Sequence, residues 1–263
     1  DPDDYPRLLT ELTDHQGVVS EAFRFELACK AFEKIAAYDA AIANYLGRVQ
    51  LEDNAQKERF GRTLTQQWVM KQEMRYGENP HQQAAFYVEG DGSNASVAAA
   101  TQVQGKALSY NNVADTDAAL ECVKEFEAAA CVIVKHANPC GAAEAATLQD
   151  AYRAAFATDP TSAFGGIIAV NRELDAELAQ EMADNQFIEV VIAPSITSAA
   201  KQCLAEKKNV RVLEAGPLDV DSMGFDMKRV NGGLLSQSRD DLLVDQQTLR
   251  VVPEQQPSEA QMN

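Results

Sequence analysis

The chain has 263 residues, of which 46% are hydrophobic and 24% charged, so most of its length has ordinary globular composition and disorder is excluded as its main state. A net charge of -17 and an isoelectric point near 4.5 argue against general nucleic-acid binding, although a small anion can still occupy a local basic pocket. No apolar run approaches the ~20 residues of a membrane span. The five cysteines (Cys29, Cys122, Cys131, Cys140 and Cys203) include no CxxC pair, which argues against a disulfide framework or a zinc site and for a reducing compartment.

The N-terminal string DPDDYPRLL is neither a signal nor a transit peptide, and it lacks an initiator Met. The expectation is a piece of a longer polypeptide whose opening stretch is polar and poorly ordered. Ser20 then suits an N-cap. Phe25, Ala28, Phe32, Ile35, Ile42 and Tyr45 recur at helical spacing, which predicts one long amphipathic helix ending near Gly47. Residues Gln50 to Arg62 read as a linker or flexible loop.

From about Thr63 short β-branched runs alternate with helical ones. AAFYV reads as a strand, Asn112 to Phe126 as a helix with Asp115 and Asp117 in its first turn, and CVIVKH as a buried strand. NPCG supplies turn chemistry, LQDAYRAAFA a helix, DPTSAFGG a loop and GIIAVN a strand. DAELAQEMA is helical, IEVVIAP and NVRVLEA are strands, and a weaker strand pair lies around Lys228 to Ser236. The tail after Arg250, rich in Pro, Gln and Glu, reads as a connection. Buried strands alternating with helices imply a layered α/β sheet.

Several residues could carry chemistry. Lys135 and His136 end an apolar strand just before a turn, and ligands gather at carboxyl ends of strands in open α/β sheets. The lysine charge disfavours a second positive charge on the neighbouring imidazole and so keeps it able to accept a proton; the lysine can also stabilise an oxyanion. The plainer reading is a solvated lysine beside a hydrogen-bonded histidine. Arg75 and Tyr76, in MRYGENPHQ with His81 close by, suit phosphate binding, or else form an ordinary polar loop. Gly165 and Gly166, after DPTSAF, could expose backbone N–H groups to an anion or carbonyl, or simply make a turn. Glu189 interrupts an apolar strand, which costs free energy unless it is paired, bound to a ligand amine, or at a sheet edge. Pro139-Cys140 lacks both the second Cys and the HxE of a zinc deaminase.

Taken together, MRYGENPHQ, QGKALSYNN with VADTDAALECVKEF, VIVKHANPCGAA, DPTSAFGGIIAVNRELD, FIEVVIAPS and KRVNGGLL resemble one family, from about Tyr5 to the C-terminus. It is the bifunctional purine-biosynthesis family, a phosphoribosylaminoimidazolecarboxamide formyltransferase joined to an IMP cyclohydrolase. The resemblance implies a cytidine-deaminase-like α/β/α layered sheet without metal, preceded by an N-terminal helical segment. Residues 1–66 would be the end of the cyclohydrolase domain and its connection. Residues 67–263 would be the first cytidine-deaminase-like unit of the formyltransferase region and the start of the connection to the second. No cyclohydrolase activity is expected of the chain itself.

The resemblance also implies the roles. Lys135 and His136 match the catalytic pair, and Arg75 and Tyr76 the nucleotide-binding pair, with His81 in the same motif. Asn112, Gly165 and Glu189 fall on the nucleotide pocket, and Ser162 on the loop approaching the folate. The co-substrate would be 10-formyltetrahydrofolate, and the formyl acceptor the 5-amino group of aminoimidazolecarboxamide ribonucleotide. The setting would be a cytoplasmic homodimer with its site at the interface and no nucleic-acid or membrane partner. Further site residues come from the region's second half. That keeps open a second expectation, that this chain is a non-catalytic fragment or dimerisation module.

Overall fold

The computed structural model describes residues 1–50, 58–90, 95–218, 224–240, 242 and 258. Two compact units divide the chain, Asp1–Asp219 and Val220–Asn263. The tail after Arg250 lies outside the described residues apart from position 258.

The first unit opens with helices. A 3-10 turn, Pro2–Asp4, leads into α1 (Tyr5–Asp14), so the opening stretch is ordered, contrary to the sequence expectation. Charge pairs tie it to the next helix. Lys30 of α2 (Glu21–Leu46) donates to Asp4 at 2.6 Å, Lys34 donates to Asp1 at 2.9 Å, and Arg7 pairs with Glu26 while lying over the Phe23 ring. The long helix forms as predicted, with the Ser20 hydroxyl accepting the Phe23 N–H and Gly47 at the C-cap. The predicted apolar stripe is not what this chain buries. Phe23 and Ala40 are buried, whereas Phe25, Phe32 and Ile35 are 72%, 76% and 56% exposed. In the expected linker, residues 51–57 lie outside the described residues, and 58–62 have no regular structure.

The α/β region follows in the order β1 (Val69–Met74), β2 (Ala84–Val88), β3 (Thr101–Gln104), α3 (Tyr110–Lys124), β4 (Ala129–Lys135), β5 (Asn138–Ala145), α4 (Leu148–Thr158), α5 (Pro160–Ala163), β6 (Gly166–Val170), α6 (Ala176–Asn185), β7 (Ile188–Ala193), α7 (Ser198–Ala205) and β8 (Arg211–Glu214). β1 and β2 form a separate antiparallel pair. The main sheet has six strands in the order β3-β8-β7-β6-β4-β5, parallel only through β6, β7 and β8.

Alternation along the strands divides the core in two. Cys131, Ile133, Ile168, Val170 and Val191 face a layer containing α4, α6 and α7. Val132, Val134, Ile167, Ala169 and Val190 face α3 and the segment holding Val97 and Leu108. A sheet buried on both faces has continuous apolar strands, as β4, β6 and β7 do. The architecture is therefore α/β with a three-layered body and an N-terminal helical segment, as expected.

Two local expectations are corrected. NPCG belongs to β5 and is not a turn; the turn is His136-Ala137. Pro139 is accommodated because β5 is an edge strand, and Cys140 is the extra residue of a bulge, since Ile133 pairs with Gly141 but Val134 with Pro139. Part of DPTSAFGG is helical, because Asp159 caps the short α5 and Pro160 occupies its first turn.

The second unit contains the hairpin expected near Lys228 to Ser236, with β9 (Phe225–Val230) antiparallel to β10 (Gly233–Ser238).

Candidate active site

The topology gathers several of the predicted residues on one edge of the main sheet. β4 runs antiparallel to β6, with Val134 opposite Ile167, while β6 and β7 run parallel from Gly166 and Ile188. The carboxyl end of β4 therefore lies beside the amino ends of β6 and β7. Because the sheet is mixed, only β4 and β3 present their carboxyl ends at this edge, and of these β4 carries predicted site residues.

Lys135 is the last residue of β4 and is half-buried. Its Nζ donates to the carbonyl of Gly165 at 2.8 Å and of Phe164 at 3.3 Å. The ammonium is thus oriented by the backbone just before β6. Gly165 has φ 71°, and a β-carbon added there would stand 3.0 Å from Lys135 Nζ. Glycine favours the left-handed backbone, and a β-carbon there would make the Lys135 ammonium give by a few tenths of an ångström. The Gly165 N–H donates to the Phe187 carbonyl at 2.7 Å, which ties this loop to the start of β7. Phe164 and Phe187, both exposed, set their rings 5.7 Å apart beside it.

His136 is exposed, at the first position of the β4–β5 turn. His136 and Ala137 both have positive φ, 55° and 58°, the geometry of a two-residue type I′ hairpin.

Asn112 is buried on the first turn of α3. Its carboxamide oxygen accepts the Ser109 N–H and the Ser109 hydroxyl accepts the Asn112 N–H, a reciprocal capping box. That leaves its Nδ2 to donate to Glu189 Oε2 at 2.8 Å. Glu189, half-buried, lies on the interior strand β7 and is not on a sheet edge; Asn112 is its protein partner. Asp115 and Asp117 fall one turn later than expected, because the helix starts at Tyr110.

Ser162 is on α5. Its hydroxyl donates to Asp159 at 2.6 Å and its N–H donates to the same carboxylate at 3.0 Å. These bonds, the side-chain one first, hold the Asp159 carboxyl below its ordinary range. Cys140 is only partly buried, but burial pushes its thiol up and its Sγ contacts the Ile133 carbonyl, which does not suit a thiolate nucleophile.

Arg75, Tyr76 and His81 stand apart from this set. They occupy the β1–β2 connection, shaped by the Gly77 N–H donating to the Gln82 carbonyl and the Asn79 N–H donating to the Gln82 side chain, both at 2.8 Å. The Arg75 guanidinium lies 5.8 Å from the Tyr76 ring centre. Among the described residues, no hydrogen bond joins these three to Lys135, His136, Asn112, Gly165 or Glu189.

Two contributors to this edge carry no distinguishing signal in the sequence. Phe187 looks like the lead-in to an apolar strand, and Asp115 like an ordinary helix carboxylate; only their contacts single them out. A cavity of about 530 Å³, lined by Phe187, Gln186, Lys207, Lys208 and Val210 among others, includes none of the predicted site residues. The sequence matches the family model described as AICARFT/IMPCHase bienzyme over residues 1–263.

Proposed function

This chain belongs to the AICARFT/IMPCHase bienzyme family of purine biosynthesis, which joins a formyltransferase to a cyclohydrolase, and on that footing we propose that it carries formyltransferase chemistry centred on Lys135 and His136. The carrying observation is the ammonium of Lys135, fixed by the Gly165 carbonyl at 2.8 Å beside a turn that exposes His136.

In this reading the substrates are aminoimidazolecarboxamide ribonucleotide and 10-formyltetrahydrofolate. The 5-amino nitrogen attacks the formyl carbon, and His136 accepts the proton the amine loses. Lys135 stabilises the tetrahedral oxyanion or assists proton delivery to the folate nitrogen; as the intermediate collapses, the carbon–nitrogen bond to the folate breaks and the proton taken up by His136 passes to that leaving nitrogen. A general base contributes roughly 10²–10⁴-fold and an oxyanion donor a further ~10²–10³-fold. Arg75, with Tyr76 and His81, holds the phosphate. Asn112, Gly165 and Glu189 line the nucleotide pocket, and Ser162 lies on the folate side. The hydrogen bond between Asn112 and Glu189 supports this grouping, because it fixes a carboxylate acceptor next to further backbone of the same edge.

Residues 1–66 are read as the end of the cyclohydrolase domain and its connection, and 67–263 as the first formyltransferase unit with the start of the link to the second. A cytoplasmic homodimer with the site at its interface belongs to the same reading. The exposed apolar side chains of α2, Phe25, Phe32 and Ile35, support a covered face. The same observation favours the second reading, a dimerisation module without turnover of its own.

Calorimetric titration with the ribonucleotide, run on the chain and on Arg75→Ala, tests the pocket. Binding that disappears in the variant supports it. A folded chain that binds nothing favours the dimerisation module. In the intact enzyme His136→Ala should collapse turnover with little change in binding, and near-full activity would refute the assignment.

A further inference from the structure

The turn that exposes His136 is held from outside its own hairpin. Two-residue turns of this type favour Asn-Gly, because both central residues need positive φ. Here the residues are His136 and Ala137, each with a β-carbon that disfavours the left-handed region. Two side chains reach the turn. Asn138 Nδ2 donates to the His136 carbonyl at 2.9 Å, and the Ala137 N–H donates to Asp115 Oδ1 at 2.8 Å. The second bond comes from a different layer of the fold.

Asp115 is on α3, one turn beyond Asn112, and the same helix buries Asn112, Thr116, Ala119, Leu120 and Val123. Its anchor is therefore rigid. Ala137 is exposed, so its N–H could be satisfied by water at little cost. A carboxylate fixed there adds little stability and instead selects one conformation of the turn.

We propose that Asp115 is a positioning residue for His136: its carboxylate clamps the Ala137 amide and holds the turn in the left-handed form that orients the imidazole. The inference rests on the reading of His136 as the proton acceptor. It also makes α3 the common support of two parts of the site, Glu189 through Asn112 and His136 through Asp115.

The test is steady-state formyl transfer by the full-length enzyme carrying Asp115→Ala, Asp115→Asn or His136→Ala, with amide exchange at Ala137 followed by NMR. Asp115→Ala should lower kcat roughly 10- to 100-fold, the scale of a small misplacement, with KM for the nucleotide nearly unchanged and faster exchange at Ala137. Asp115→Asn keeps an oxygen acceptor and should recover most of kcat. Adding Ala137→Gly to Asp115→Ala should recover part of it, because glycine adopts positive φ freely. Wild-type kcat in Asp115→Ala alongside an inactive His136→Ala would overturn this inference alone. So would an Asp115→Asn as impaired as the alanine variant, since charge and not position would then matter. An active His136→Ala would overturn the parent reading and this one together.

Discussion

At the scale of single residues, the Lys135 ammonium packs tightly against the bare backbone of Gly165. A methyl group there meets Nζ at 3.0 Å, and the backbone φ of 71° penalises any β-carbon. Gly165→Ala should cost about 1–2 kcal/mol in chemical denaturation through the backbone alone. If the placement of the ammonium matters to the reaction, turnover should fall further than stability does, because the added carbon displaces Nζ against its carbonyls. Unchanged kinetics would mean that the Lys135–Gly165 bond has no part in the reaction. The sequence shows why Lys135 and His136 are worth naming, since a cation and an imidazole end an apolar strand. It cannot show that Asn112 meets Glu189, 77 positions away, because that contact exists only once α3 packs on the sheet.

At the scale of elements, the site edge depends on how β5 is clamped. α4 crosses β5 so closely that a β-carbon on Gly141 would stand 2.0 Å from the Ala155 carbonyl oxygen. Backbone cannot yield as a flexible side chain does, so Gly141→Ala should cost at least about 3 kcal/mol, at the upper end of overpacking penalties. Gly90→Ala, with nothing within 4 Å of the added carbon, should stay within about 0.5 kcal/mol. Paired thermal melts check both; equal Tm values would refute the close packing of α4. Because β5 carries the far side of the His136 turn, loosening it should also disturb that turn. Most helices and buried strands are legible from apolar period and capping residues, as Ser20 illustrates at the start of α2. The β5 strand was not, because Asn, Pro and Gly are turn residues by local preference, and only pairing with β4 makes them a strand.

At the scale of the whole molecule, an anionic ligand must approach a chain of net charge -17. In the proposed pocket Arg75 and Lys135 would supply the local positive charge. Screening sets in at about 10 Å in 0.1 M salt, so added salt removes the long-range repulsion before it weakens contacts inside the pocket. Stopped-flow association of the ribonucleotide should therefore accelerate, or hold steady, as salt rises from low values. A steep decline would mean that the local basic field dominates the approach. Among the described residues no helix is long and apolar enough to cross a membrane.

The sequence by itself determined the α/β class and the positions of the long helix and most buried strands, and it named the residues proposed to carry formyl transfer. Those properties are local: periodicity, capping and side-chain type are written in neighbouring positions. Tertiary structure alone decided which strands run antiparallel, and so that the carboxyl end of β4 shares an edge with the amino ends of β6 and β7. It also decided that Phe23, and not the Phe25 stripe, is buried in the chain. Asp115 became a contact of the His136–Ala137 turn in the same way. Each of these depends on distant segments meeting, and for the sheet the free energy of that meeting comes from burying both of its faces at once, a quantity no single window of sequence contains.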